Sequence, residues 1–522
     1  MAPLFLIGFM AAGKTSVGRA IAAASGRAFV DLDDAIAAMG EPVAELVARD
    51  EPEFRRREAR ALAELCTRDD LVIATGGGAA AYGDNLERMR GAGLVVALGV
   101  DVDEAQRRAA GGPTRPLLAS ADRLARVRAP IYRRAHAVVD TMGKSIADVV
   151  DAVAAVERAW RTLPATYRGA TLLALGDRTY PVTVADALDP ELIRARLGTT
   201  TKLAVITDAN VARYLPQLAA LGAEPITIPP GEASKSFAMF ERTCNELVAR
   251  GLDRGSAIVA LGGGVVGDLA GFVAASLFRG IPIVQVPTTI VAMTDAAIGG
   301  KTAIDIPAGK NLVGAFWQPR LVACATDTLA TLPARERRAG FGELWKYALL
   351  DGPELWQLVA ACAPWAAAGE GAPPPRELRT VIDRAIAYKA AIVGRDERER
   401  TGHRALLNLG HTIGHAIETA SGLLHGEAVG LGLLAAARVS RALGAPDLER
   451  DLTDALAASG LPHDLDRYLV GRADDVLARI SVDKKRSGSQ LRFIVIREVG
   501  SCEPVEIAVT EVRRILRPQT GA

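Results

Sequence analysis

Cysteine is scarce in this chain of 522 residues: Cys66, Cys244, Cys324, Cys362 and Cys502 are widely spaced and form no C-x-x-C. That excludes a disulfide framework or a thiolate zinc site and points to a reducing compartment. An excess of one charge is also missing, since 62 basic residues face 61 acidic ones and no Lys/Arg tract stands out. Nucleic acid is therefore not expected as a partner. The longest charge-free stretches, such as 280–294, are broken by prolines and fall short of the roughly 20 apolar residues of a membrane span. Residues 1–13 resemble a signal-peptide core but lack a basic leader and run straight into Gly-Lys-Thr, so a cytoplasmic protein is expected. Lysine is the last shortage, at ten of the 62 basic residues. In so arginine-rich a background a retained lysine marks a position that needs a compact, rotatable ammonium.

Hydrophobic residues make up 49% and charged residues 24%, the balance of a folded globular protein. At roughly 150 residues per domain the length implies three or four domains. Strand-like runs alternate with Ala-rich helical periods from 3 to about 155, until Arg-Thr-Leu-Pro-Ala-Thr-Tyr-Arg-Gly at 161–169 interrupts them. A second α/β pattern follows, with β-type runs at 171–175, 203–207, 256–261 and 282–286, as far as Thr331-Leu332-Pro333. From there to about 480 the periods are helical, with 363–375 as a surface connection. The expected organisation is an α/β domain over 1–158, a linker over 159–169, a second α/β domain over 170–333 and a mainly helical domain over 334–522. There is no internal repeat.

Leu4-Phe5-Leu6-Ile7 reads as a buried strand, followed by Gly8-Phe9-Met10-Ala11-Ala12-Gly13-Lys14-Thr15-Ser16, which contains G-x-x-x-x-G-K-T. Glycines let backbone N–H groups converge on phosphate oxygens, while the Lys and Thr of such a loop serve the β/γ-phosphates and Mg²⁺. ATP and Mg²⁺ are expected here. Asp31 and Asp33 end another strand at i and i+2, on the same side; alone, such a pair is more often a solvated turn. Phe54-Arg55-Arg56-Arg57-Glu58, Thr75-Gly76-Gly77-Gly78, Arg115-Pro116-Leu117 and Arg128-Ala129-Pro130-Ile131-Tyr132 come next.

In this order the set resembles shikimate kinase over about residues 1–155. The resemblance implies a parallel-sheet P-loop fold and phosphorylation of shikimate by ATP. Gly8, Gly13, Lys14, Thr15, Ser16 and Arg115 would hold ATP, Thr15 and Asp31 would serve Mg²⁺, and Asp33, Arg55, Gly77 and Arg128 would hold shikimate. Arg55 and Arg128 would take its carboxylate in charge-assisted pairs. Lys14, Asp33 and Arg115 would be catalytic, with Arg115 on a lid. The stretch between Arg115 and Arg128 is shorter than the family usually has.

Further on, Ala257-Ile258-Val259-Ala260-Leu261 feeds Gly262-Gly263-Gly264-Val265-Val266-Gly267-Asp268. That is G-x-G-x-x-G after a strand, but no acidic residue lies about 20 positions on, which argues against an ordinary Rossmann unit. Four of the six histidines fall between 403 and 425. His411 and His415 at i, i+4 aim at one spot on a helix, so spacing favours them as metal ligands, with His425 as a third candidate.

Asp295 to Thr302, Gly309-Lys310-Asn311-Leu312, Gly342-Glu343-Leu344-Trp345-Lys346-Tyr347, the Asn408 to Glu418 element, His425-Gly426-Glu427 and Asp483-Lys484-Lys485 together resemble 3-dehydroquinate synthase, from about 170 to 515. The resemblance implies an α/β NAD-binding domain plus a helical metal domain. The implied reaction is NAD- and zinc- (or Co²⁺-) dependent cyclisation of 3-deoxy-arabino-heptulosonate 7-phosphate to 3-dehydroquinate, with loss of phosphate. It assigns Glu343, His411 and His425 to zinc and moves His415 to the substrate. Asp208, Asn210, Gly231, Glu232, Lys235, Gly264, Val265, Val266, Gly267, Asp268, Thr288, Thr289, Lys301, Lys310, Thr328, Leu329, Ala330 and Thr331 would line NAD. Lys301, Asn311, Asn408, His415 and Lys484 or Lys485 would hold the phosphate, with Arg279 reaching in from the second subunit of a homodimer, and Lys389 and Arg404 the carboxylate. Asp295, Lys346 and His415 would be catalytic; Ala296-Ala297 stand where the family usually has two serines. Eight of the ten lysines fall in these motifs, leaving Lys144 and Lys202.

A kinase fused to another sugar-phosphate cyclase, one making an inosose or a valiolone, is the alternative. Arg55 with Arg128 and Lys389 with Arg404 speak against it, because both pairs suit a carboxylate. A nucleotide-binding scaffold without activity would have lost Lys14, Glu343, His411 or His425, and all four are present.

Overall fold

Five strands that are almost wholly apolar carry the first 140 residues of the chain in the computed structural model, which describes residues 1–38, 40–110, 121–470, 476 and 490–518. They are β1 (Leu4–Gly8), β2 (Ala28–Asp31), β3 (Leu71–Ala74), β4 (Leu94–Gly99) and β5 (Ala137–Asp140), paired parallel in the order β2-β3-β1-β4-β5. Continuous apolar runs such as Leu4-Phe5-Leu6-Ile7, all at 0% exposure, are what a parallel sheet covered by helices on both faces requires. Helix Lys14–Ser25 packs its Val17, Gly18, Ile21 and Ala22 face inward and stops at Gly26, whose φ of 69° is left-handed.

Two compact units result, Met1–Val182 with Ala390–Arg395, and Thr183–Lys389 with Asp396–Ala522. The division falls inside β7 (Tyr180–Ala185), which pairs antiparallel with β6 (Thr171–Leu173). The second unit has five parallel strands at its core: β8 (Leu203–Asp208), β9 (Glu224–Ile228), β10 (Ala257–Gly262), β11 (Ile283–Pro287) and β14 (Leu321–Ala325), ordered β14-β11-β10-β8-β9. Pro225 disguises β9 in the sequence. On an edge strand its missing N–H removes little from the ladder.

An antiparallel hairpin, β12 (Lys301–Ile306) and β13 (Gly309–Phe316), precedes β14. Beyond residue 333 the chain is helical through Leu465–Leu469, and it then forms a second hairpin, β15 (Gln490–Glu498) with β16 (Ser501–Ala508), which the helical reading of this region did not include. The α/β and helical parts share one packed body: a Cβ on Gly340, in helix Ala334–Asp351, would lie 2.5 Å from Ile290. No helix among the described residues is long and apolar enough to cross a membrane.

Candidate active sites

The carboxyl ends of β1, β2 and β3 deliver the first site. After β1 the backbone turns through Gly8 (φ 136°), Ala11 (φ 56°) and Gly13 (φ 92°) into helix Lys14–Ser25. Gly8 has no alternative, because a Cβ there would lie 2.5 Å from the Leu98 carbonyl oxygen. The helix opens with neither a side-chain cap nor an acidic residue in its first turn, which leaves its N–H groups and dipole to an anion. Lys14 Nζ donates to the Gly8 and Phe9 carbonyls, both at 2.9 Å. Thr15 Oγ1 donates to Asp31 Oδ2 at 2.7 Å, and Asp31 Oδ1 accepts from the Asp33 amide at 3.1 Å. A hydroxyl and a carboxylate so placed fit a Mg²⁺ shell. Ser16 is exposed.

Gly76, Gly77 and Gly78 act as the floor on which the other residues converge. Cβ atoms there would lie 2.7 Å from Glu58 Oε1, 3.7 Å from Arg128 Nη1 and 2.5 Å from Arg55 Nη2, and the Gly76 one also 3.1 Å from Asp33 Oδ1. Asp33, Arg55, Gly77 and Arg128 are thus brought together. Burial raises the Asp33 carboxyl, with Asp31 adding and Lys14 and Arg55 opposing. Two residues that the sequence motifs include, but to which no role was assigned, complete this site. Glu58, fully buried, pairs with Arg55 Nη1 at 2.7 Å, and burial raises its carboxyl despite Arg55. Tyr132 donates to the Gly77 carbonyl at 2.5 Å. The i+3 step from Arg55 and the i+4 step from Arg128 were the available signals. Arg115 lies outside the described residues.

In the second unit, β8 is followed by β9 on one side and by β10 on the other, so the chain reverses direction between β8 and β10. Ligands of open α/β sheets bind outside the carboxyl ends at such a point. Asp208 closes β8 and accepts from the Asn210 and Val211 amides at 2.8 and 3.1 Å. Gly263 starts helix Gly264–Ser276, again with neither a side-chain cap nor an acidic residue in its first turn. The hydroxyls of Thr207 and Thr288, both buried, have no hydrogen-bond partner among the described residues. Uncapped amides and orphaned hydroxyls together fit a dinucleotide.

Around them, Thr289 Oγ1 accepts from the Ala292 amide at 3.1 Å. Lys235, buried behind Gly231 and Glu232, donates to Asp268 at 2.8 Å and also reaches the Asn311 side chain. Burial pushes the Asp268 carboxyl up to about 6 against the pull of Lys235. Val265, Val266 and Gly267 belong to the first turns of the Gly264 helix. Thr328, Leu329, Ala330 and Thr331 form a short helical turn whose Thr331 hydroxyl meets Tyr214 at 2.8 Å.

Three helices bring the metal-type donors together. Glu343 is fully buried in Ala334–Asp351, and His411 and His425 are the first residues of helices His411–Ser421 and His425–Ala442. The helices approach so closely that a Cβ on Gly342 would lie 1.9 Å from the Gly426 carbonyl oxygen. Glu343 Oε1 consequently lies 3.3 Å from His411 Nε2 and 3.1 Å from His425 Nε2. His415 is also in the cluster: ligand atoms of His411, His415 and His425 all lie within 4.8 Å of one another. Two imidazoles and a carboxylate that converge in this way are a donor set that suits zinc.

Next to them Lys346 pairs with Glu343 Oε2 at 2.5 Å and lies 3.8 Å from Asp295 Oδ1. Lys389 donates to the Asp295 carboxylate at 2.7 Å. Burial alone would raise Asp295, but Lys389 and Lys346 hold it well below the usual carboxylate range. Burial lowers Lys389 to about 8, with Asp295 opposing and Arg404 adding. Burial and the neighbouring His411 and His425 lower His415 to about 4. Tyr347, part of the Gly342 to Tyr347 motif but assigned no role from sequence, places its hydroxyl 3.0 Å from the Thr294 carbonyl and 3.3 Å from Asp295 Oδ1. Glu399 joins Lys301 (2.5 Å) to Arg404 (3.5 Å). Lys310 pairs with Glu418 at 2.8 Å, and Asn408 is exposed. Arg279 is exposed on a turn in which Phe278 and Arg279 both have positive φ, 53° and 68°. Lys484 and Lys485 lie outside the described residues.

Comparison with known proteins follows the same division. The shikimate kinase family matches residues 10–157, the 3-dehydroquinate synthase N-terminal family 225–339 and its C-terminal family 340–486. The 3-dehydroquinate synthase of Caulobacter vibrioides is 45% identical over 350 residues, covering 63% of this chain and 92% of that protein. Among solved structures, 2-deoxy-scyllo-inosose synthase with carbaglucose-6-phosphate, NAD⁺ and Co²⁺ is 26% identical with a TM-score of 0.58, covering 67% of this chain and 99% of that one. The 2-epi-5-epi-valiolone synthase of Streptomyces hygroscopicus, with NAD⁺ and Zn²⁺, is 26% identical with a TM-score of 0.56, covering 65% and 95%.

Proposed function

The chain belongs to the 3-dehydroquinate synthase family and carries a shikimate kinase domain ahead of it, and from that premise we propose how its two sites work. It is a bifunctional shikimate-pathway enzyme, a kinase and a lyase in one polypeptide.

In the kinase, the loop from Gly8 to Ser16 cradles the phosphates of ATP, and Lys14 turns from the loop carbonyls to the transferring group. Thr15 and Asp31 hold Mg²⁺, which when bound neutralises the developing charge. Arg55 and Arg128 hold the shikimate carboxylate over Gly77. Asp33, raised by burial, accepts the proton of the attacking hydroxyl. By the resemblance, Arg115, which lies outside the described residues, would stabilise the transferring group.

In the cyclase, Glu343, His411 and His425 hold the divalent metal, zinc or Co²⁺, and the Asp208, Gly264–Asp268 and Thr288 wall holds NAD. When bound, NAD supplies a transient hydride acceptor and the metal a Lewis acid. Lys389 and Arg404 fix the substrate carboxylate. Lys301, Asn311, Asn408, His415 and Lys484 or Lys485 fix its phosphate, with Arg279 from the second subunit of a homodimer. Asp295 and Lys346 orient the ring hydroxyls and pass protons between them. Both activities would work on small metabolites in the cytoplasm.

The observation that carries this reading is the convergence of Glu343, His411 and His425 beside the Asp295–Lys389 pair. The inosose and valiolone synthases share the metal fold, so the substrate decides between the readings. The test offers the purified full chain shikimate with ATP, and separately the heptulosonate phosphate or glucose 6-phosphate with NAD⁺. Shikimate 3-phosphate and dehydroquinate are the expected products; an inosose instead would overturn the assignment.

A further inference from the structure

Glu418 has two partners and no role so far. It lies on helix His411–Ser421, seven residues after His411 and three after His415, so all three side chains share a face. Its Oε2 lies 3.2 Å from His425 Nδ1, and its Oε1 accepts from Lys310 Nζ at 2.8 Å on β13. Glu418 is 14% exposed and Lys310 58%, so the carboxylate is largely shielded while the lysine remains open to solvent. His411 has a matching arrangement, with its Nδ1 3.0 Å from the Leu409 carbonyl oxygen. Both ligand imidazoles thus have an oxygen acceptor at Nδ1 and turn Nε2 to Glu343 Oε1. A carbonyl oxygen can only accept, and a carboxylate does the same when ionised. Each therefore selects the tautomer with the proton on Nδ1 and the lone pair on Nε2, the form a metal needs.

We propose that Glu418 is the positioning residue of the metal site and ties that site to the nucleotide wall, holding the His425 ring with one carboxylate oxygen and Lys310 with the other. The proposal rests on the metal reading above and on the expectation that Lys310 lines NAD. One consequence is specific to the shared carboxylate. The two sites are energetically coupled, so whatever releases Lys310 from Glu418 changes nucleotide binding without removing the acceptor for His425. The His411 acceptor belongs to the main chain, so Glu418 is the anchor that a side-chain substitution can remove.

The experiment uses the full chain and Glu418→Ala, Glu418→Gln, Lys310→Met and the Gln/Met double variant. Zinc affinity is read by chelator competition, NAD⁺ affinity by calorimetry, and the His425 tautomer by ¹⁵N NMR of zinc-loaded protein. Glu418→Ala should weaken zinc by about 10- to 100-fold and lose the Nδ1–H signature of His425. Glu418→Gln should keep that signature and bind zinc within a few-fold of the parent, because the amide oxygen still accepts from Nδ1–H while the amide nitrogen faces Lys310 as a second donor. Both Glu418→Gln and Lys310→Met should weaken NAD⁺, and the double variant no further than either. Unchanged zinc affinity and tautomer in Glu418→Ala overturn the proposal. If that variant does not fold, additive losses of NAD⁺ affinity in the double variant overturn it. A parent chain that takes up no zinc refutes the metal reading itself.

Discussion

Lys389 donates to Asp295 twice, to the side-chain carboxylate at 2.7 Å and to the main-chain carbonyl at 2.5 Å. Two oxygens of one residue therefore fix an ammonium that burial pulls down to about 8. Below that pH Lys389 is charged and can bind a carboxylate; above it the cation is lost. The KM of the cyclisation should rise about tenfold between pH 7 and 9.5, with kcat less affected, a size set by losing one charge-assisted hydrogen bond. Steady-state kinetics across that range check it. Lys389→Met should have a high KM at pH 7 and no further rise; a parent profile flat above pH 8 rejects the role.

Lys14 separates the two activities. Its ammonium, now on the Gly8 and Phe9 carbonyls, is the one cation of the phosphate loop. Lys14→Ala should lower phosphorylation of shikimate by at least about 100-fold, the scale of a lost donor at a developing charge, and leave cyclisation within twofold. Parallel assays of both products on one preparation decide the matter, and equal loss of both activities rejects independent sites.

How much of this was legible in the sequence depends on distance along the chain. The phosphate loop is local, because Gly8 and Gly13 supply positive φ within one turn and the motif encodes that geometry directly. Asp295, Lys346 and Lys389 meet across three separate elements, a convergence no spacing rule predicts, so they emerged only through resemblance. His415 shows the limit of spacing. It does join His411 and His425 in one cluster, as i, i+4 requires, yet Glu343 enters from a helix of its own and is invisible to local pattern. Strands β7 and β9 were hidden by Pro181 and Pro225, which read as turns until their places in the sheet are known.

Gly342 is the point at which packing and metal chemistry meet. A methyl there would lie 1.9 Å from the Gly426 carbonyl oxygen, a backbone atom that cannot swing aside, so the helices carrying Glu343 and His425 must separate. Gly342→Ala should cost about 1–3 kcal/mol of stability as an overpacked site and weaken zinc at least tenfold, because the ligands part with the helices. Thermal unfolding with and without zinc measures both effects. Gly369→Ala, where an added methyl meets open space, serves as the control and should change neither.

Glu58 makes the stability of the kinase unit depend on pH. Burial raises its carboxyl above the ordinary value, with Arg55 only partly offsetting this. A raised carboxyl binds a proton more tightly in the folded state than in the unfolded one, so the protonated form favours folding. That contribution is complete below the unfolded pKa and is lost as pH rises through the folded one. Gln in its place cannot titrate. From pH 4 to 7 the parent should therefore lose stability relative to Glu58→Gln in hydrogen exchange of the β1 amides, and a difference that moves the opposite way rejects the assignment. The same variant replaces the charged partner of Arg55 at 2.7 Å by a neutral amide whose oxygen accepts more weakly, so the guanidinium is held less firmly over Gly78. The KM for shikimate should consequently rise while the KM for ATP stays constant, separating loss of substrate positioning from general damage to the unit.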